Sequence, residues 1–151
     1  MDKESNMKPD SLEIHIPSRL GAEKMAMAEA SKVAREMGFS EDRIEDLKTA
    51  VAEACVNAME HGNQLRESTS VGVTLSIDDS TLTISVHDKG SGAGKFPTPD
   101  MDAKILRQEP SRGWGVFLIH NLMDEVSFES IKDVGNVVHM AIHLDQDDTT
   151  S

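Results

Sequence analysis

Glu53, Asn57 and His61 recur at four-residue intervals in the stretch EACVNAMEHGN. On a helix that spacing stacks side chains above one another along one face. A carboxylate one turn from a carboxamide has chemical uses. The amide oxygen suits a hard cation such as Mg2+, which takes oxygen ligands and is commonly completed by water and substrate phosphates. The carboxylate can orient or deprotonate an attacking hydroxyl. Asparagine is a mediocre helix former, so its place inside a helix suggests a use for its side-chain oxygen. The same positions, with Asp46 and Ala50, also read as the solvated side of an amphipathic helix, opposite the apolar stripe. The helix alone does not decide between the two. His61, directly before Gly62, reads as a helix-end residue.

Two downstream stretches add candidates. In HDKGSG, Asp88 ends a strand and is followed by Gly90, Gly92 and Gly94. Glycines let backbone approach a ligand closely, and Asp88 can accept a hydrogen bond from an exocyclic amine such as adenine carries. The strand pattern leaves the direction of Asp88 open, and D-x-G-x-G also suits a bare turn. In RGWGVFLI, Gly113 and Gly115 stand where a helix begins. Free N–H groups and the dipole at a helix start can hold phosphate, and Arg112 can add a charge-assisted contact. A simple glycine-rich helix start is the plainer reading.

The elements that must position these residues follow from periodicity. SLEIHIP alternates Leu12, Ile14 and Ile16 against polar residues and stops at Pro17, as a strand does. Apolar positions from Leu20 to Met37 follow a helical period, and Gly38 supplies the stop. Ser40 is placed to cap a second helix, with Glu41 and Asp42 in its first turn and an end near Gly62. VGVTLSI and LTISVHD alternate as two strands joined by a hairpin turn. The Gly- and Pro-rich run that follows reads as a long loop, functional or disordered. WGVFLIHNLMD then reads as a helix, and EVSFESI and NVVHMAIHL as strands. The order β-α-α-β-β-loop-α-β-β predicts an α+β two-layer sandwich, with a largely antiparallel sheet covered on one face by helices.

Composition sets the frame. The chain has 151 residues, enough for one domain with a full core. Residues 11–144 form the expected domain, and the polar ends at 1–10 and 145–151 read as disordered tails. Aromatics are 3% of the chain, so the core rests on Val, Ile, Leu, Met and Ala. Met25, Met27, Met37 and Met59 are expected to pack within helices. No apolar run approaches the roughly 20 residues of a membrane span, and MDKESNMKPD lacks the apolar stretch of a signal peptide. Cys55 is the single cysteine; it reads as a small buried residue, and a reducing cytoplasm is the expected setting. The net charge of −12 argues against direct nucleic-acid binding; it reads first as solubility, with attraction to a basic protein partner the sharper alternative that charge alone does not establish.

The joint order is more specific than its parts. A helical E-x-x-x-N, a strand-borne D-x-G-x-G, a long loop and G-x-G at a helix start resemble the N, G1 and G2 boxes of the GHKL ATPase superfamily. The fold that the resemblance implies is the Bergerat, or histidine-kinase-like, sandwich. EACVNAMEHGN, HDKGSG and GWGVFLIHNLMDEVSF are most similar to stand-alone anti-sigma factor serine/threonine kinases of the RsbW and SpoIIAB type. The likeness runs from about Leu12 to Leu144. It implies ATP and Mg2+ as cofactors. It also implies that Asn57 is the metal ligand, that Glu53 is the base acting on the acceptor hydroxyl, and that Asp88 binds the adenine amine. Gly90 and Gly92 would shape that turn, and Gly113 and Gly115, with Arg112, would lie near the phosphates. Residues 93–112 would form a lid, in which Lys95 reads as solvated. The implied acceptor is a serine or threonine on a STAS-type anti-anti-sigma partner, the second partner is a sigma factor, and a homodimer is compatible with the likeness. A nucleotide-responsive binding module without turnover is the alternative. Family members often carry Gly-Thr at the start of the last strand, where this chain has Gly135-Asn136. Trp114 also replaces a smaller residue inside the G-x-G.

Overall fold

The structure, a computed structural model, describes residues 11–63, 66, 68–88, 110–131 and 135–144. The two expected tails, Gly90, Gly92, Lys95 and the lid up to residue 109 lie outside the described residues.

Alternating apolar residues build five strands: β1 (Ser11–Pro17), β2 (Ser70–Asp78), β3 (Thr81–His87), β4 (Glu125–Ile131) and β5 (Gly135–His143). They form one sheet in the order β1-β2-β3-β5-β4, every neighbouring pair antiparallel. Ile84 sits between Leu75 and Met140, and Val86 between Val73 and Val138, so one face is continuously apolar. The expected α+β sandwich is the fold observed.

Two helices, α1 (Glu23–Met37) and α2 (Glu41–Asn57), pack on each other and take part in the core over that face. Ala26, Ala30 and Ala34 bury a small-residue stripe of α1. Ile44, Leu47, Val51, Ala54 and Cys55 bury the apolar stripe of α2. Gly38 ends α1 in the left-handed region, at φ 105°, with its N–H bonded back to Ala34 and Arg35. Ser40 caps α2 by accepting from the Arg43 N–H at 3.3 Å. Met59 is buried and Met27 and Met37 pack against the core, but Met25 is 54% exposed. It therefore departs from the expected packing role. Burial pushes the Cys55 thiol up to about 12, which leaves it a core residue with little thiolate.

The expected helix end near Gly62 is reached through a π-helical turn, Ala58–Gly62, added to the end of α2. Such turns are rare and often sit at functional sites. A buried network fastens it. Asn63 donates through Nδ2 to the Ser18 hydroxyl at 2.8 Å and to the Ser70 carbonyl at 2.9 Å, and the Thr69 hydroxyl joins Ser18 at 2.9 Å.

The third helix, α3 (Pro110–Leu122), starts earlier than the run from Trp114 that sequence periodicity marks. Proline at a first helical position has its φ already set and lacks an N–H the helix would leave unused. The helix packs on α2. Its far end is tied down by Asp124, which accepts from Arg43 Nη2 at 3.0 Å and from the His143 N–H at 2.7 Å.

The uncovered sheet face is polar. It repeats one motif at four-residue intervals: Ser85 and Glu129 flank His139, and Thr81 and Glu125 flank His143. No helix among the described residues is long and apolar enough to cross a membrane.

Candidate active site

Glu53 and Asn57 do project together, but not into open solvent. Ala50 is fully buried and Asn57 is 6% exposed, so the stripe opposite the apolar face is no wet side. The packing of α3 on α2 accounts for this. A single helix cannot reveal it, because the cover comes from residues more than fifty positions later in the chain.

The crossing is tight at Gly115. A Cβ there would lie 2.6 Å from Glu53 Oε1 and 3.6 Å from Asn57 Nδ2. Gly115 is the sixth residue of α3, where the N–H belongs to the helical ladder. It supplies space for a carboxylate against the helix backbone. Arg112 and Gly113 lie within the first turns of the same helix.

Glu53 is partly buried. Burial, and secondarily the charge of Glu60, raise its carboxyl above the ordinary value. Asn57 Nδ2 is buried with no hydrogen-bond partner among the described residues. A buried carboxamide lacking a partner is costly, and its two ends exchange by a half-turn of the amide. These residues fit a hard cation: an amide oxygen at that point meets one need of Mg2+, with the Glu53 carboxylate alongside. Among the described residues no group of three His, Cys, Asp or Glu side chains could hold a metal. A cation here would thus draw its other ligands from phosphate and water, as Mg2+ commonly does.

The second half of the site is built on β3 and β5. Alternation along β3 continues past its end, so Asp88 falls on the same side as Ile84 and Val86 and is 2% exposed. Its N–H donates to the Asn136 carbonyl at 3.1 Å. Asn136 returns two bonds, from its N–H to Asp88 Oδ1 at 3.2 Å and from Nδ2 to Asp88 Oδ2 at 3.3 Å. The Ser130 hydroxyl on β4 donates to Asn136 Oδ1. Gly135 stands at φ 140°, and a Cβ there would lie 2.6 Å from the Asp88 carbonyl oxygen. Only glycine fits both demands.

The structure therefore groups Glu53, Asn57 and Gly115 at one end and Asp88 with Gly135 and Asn136 at the other. Sequence reasoning marked Asn136 only as a departure from Gly-Thr, and it did not single out Ser130. The register pairs Ser130 with Asn136, a relation no single strand displays.

A half-buried acid and a buried amide at a helix crossing, with a buried carboxylate clamped at the β3–β5 junction, lie within one α+β sandwich. Residues 16–142 match the family described as the histidine kinase-like ATPase domain, and the chain belongs to that family. It is 30% identical to the serine-protein kinase RsbW of Halalkalibacterium halodurans, over 93% of this chain and 88% of that protein. It is 27% identical to the anti-sigma F factor of Bacillus licheniformis, over 68% of this chain and 71% of that protein. Among solved structures it is similar to the RsbU and RsbW domains of a Mycobacterium tuberculosis protein. That match has a TM-score of 0.60 at 18% identity and covers 89% of this chain and 32% of the other.

Proposed function

We propose that this chain is an ATP-dependent serine/threonine protein kinase that acts as an anti-sigma factor. It phosphorylates a STAS-type anti-anti-sigma partner and sequesters a sigma factor, so that phosphorylation switches partners. The observation that carries the reading is the pairing of Glu53, raised by burial, with the unpartnered buried amide of Asn57 at the Gly115 crossing. The names of the relatives support the same reaction class.

Phosphoryl transfer depends on positioning and charge neutralisation more than on covalent chemistry by the protein. Asn57 would hold Mg2+, which supplies charge neutralisation at the phosphates. Glu53 would accept the proton of the acceptor hydroxyl as the new P–O bond forms and the bond to ADP breaks. Asp88 would receive the adenine amine, and the start of α3 would face the phosphates with Arg112 and Gly113. Gly90 and Gly92 belong to this proposal by their motif, and residues 93–109 by their position as the lid, whose expected last residues, 110–112, are the first turn of α3. New charge on the acceptor would weaken its docking. The net charge of −12 suits a basic surface on the sequestered partner.

The test mixes the protein with labelled ATP, Mg2+ and candidate anti-anti-sigma proteins. Label should move to a serine or threonine of one of them, and Glu53→Gln should remove transfer while sparing ATP binding. Intact ATP binding with no transfer to any candidate, and partner binding unchanged in Glu53→Gln, would instead assign a nucleotide-responsive binding module.

A further inference from the structure

We infer that Asn136, held by Ser130, is the residue that makes Asp88 selective for a 6-amino purine. The inference rests on the nucleotide-site reading above and adds a determinant to it. A carboxylate recognises an exocyclic amine only if an acceptor lobe is aimed at it. A side chain that can turn about its own bond discriminates poorly, because it can swing away from a base that offers an oxygen. Asp88 is denied that freedom. One residue binds both of its oxygens, the backbone N–H of Asn136 on Oδ1 and the carboxamide Nδ2 on Oδ2. Gly135 makes room for the clamp, since a Cβ there would lie 2.8 Å from Oδ1. A carboxylate offers about four acceptor lobes, so the clamp fixes its plane without exhausting it.

The carboxamide must present its nitrogen to Asp88 for this to work. Reversed, it would set oxygen against oxygen. The Asp88 carboxylate, which can only accept, selects the nitrogen, and Ser130 braces that orientation by donating its hydroxyl to Asn136 Oδ1. Both ends of the amide are thereby matched, donor to Asp88 and acceptor to Ser130, and Asn136 is 5% exposed. The β4–β5 register that puts Ser130 opposite Asn136 is thus part of base recognition. Neither residue is placed to touch the reacting phosphate; both are positioning residues acting through Asp88.

The experiment measures equilibrium binding of ATP and ITP, which differ in carrying an amine or an oxygen at purine position 6, to the full chain with Mg2+. The wild type should prefer ATP. In Asn136→Ala that preference should fall by about tenfold or more, mainly through weaker ATP binding, with ITP binding little changed. Ser130→Ala should move the ratio the same way, and Ser130→Thr, which keeps the hydroxyl, should restore it. A merely structural role would weaken both nucleotides alike. Equal losses for ATP and ITP in both variants, or an unchanged ratio, would overturn the inference while leaving the nucleotide site standing. A wild type that binds neither nucleotide overturns both.

Discussion

Burial is the first cause of the upward shift of Glu53, and the charge of Glu60, seven residues on, is the second. A general base works as the anion, so transfer should rise with pH through an inflexion above the ordinary value of 4.5. Removing a neighbouring negative charge favours the anion. Glu60→Gln should therefore move that inflexion to lower pH, as a pH profile of label transfer would register; an unmoved inflexion would mean that Glu60 does not act on the base. The same shift has a consequence for stability with a definite sign. A carboxyl whose folded value is raised contributes stability below its unfolded value and loses that contribution as pH rises through the folded one. Glu53→Gln should accordingly melt above the wild type at neutral pH and show no such advantage below pH 4.5, which thermal melts at the two pH values compare. That Glu53 and Asn57 share a helix face was legible from spacing, and only the glycine motifs downstream singled the pair out. Its burial was not legible, since burial belongs to a neighbour that spacing cannot name.

The crossing of α2 and α3 and the joining of β3 and β5 both turn on a glycine, with opposite expected costs. At Gly115 the obstructing atom is the tip of a flexible side chain, Glu53 Oε1. Gly115→Ala should fold at least as stably, because alanine in a helix interior is favoured over glycine by about 1 kcal/mol. Yet it should lose transfer by about a hundredfold through displacement of the carboxylate. At Gly135 the obstruction is backbone and φ is 140°, so Gly135→Ala should lower stability by about 1–3 kcal/mol. Denaturant melts and label transfer on the two variants separate these cases. The π-helical turn after α2 depends on Asn63 in a different way. Asn63→Ala leaves the buried Ser18 and Ser70 groups short of a donor and should cost about 1–3 kcal/mol in the same melts. At this scale the sequence was informative wherever a signal is local. The Ser40 cap, the Gly38 stop and the β2–β3 hairpin all lie where their residues indicate. The start of α3 at Pro110, the direction of Asp88 and the Asn136 clamp were not local signals. They depend on which surface an element packs against and on the register between strands distant in sequence.

Across the whole molecule, the −12 charge and the sheet order act together. Self-repulsion of a strongly acidic chain opposes compaction and is screened by salt, so comparisons among variants belong at one ionic strength. The sheet joins the β2-β3 hairpin, with β1 at its outer edge, to a β4-β5 hairpin through the β3–β5 pairing. That join is a seam, and Asp88 and Asn136, 48 residues apart, lie at one end of it. Each hairpin can form early, whereas the seam, like the β1–β2 pairing, must close a long loop before its contacts give any return. A base held at Asp88 would then act as a rivet across a late junction. Interactions absent from the folding transition state slow unfolding and leave folding almost untouched. Stopped-flow kinetics with a non-hydrolysable ATP analogue and Mg2+ should therefore lower the unfolding limb and leave the folding limb where it was. In a cell, a chain of this design would be more durable when loaded than when empty, and its lifetime would follow the supply of nucleotide.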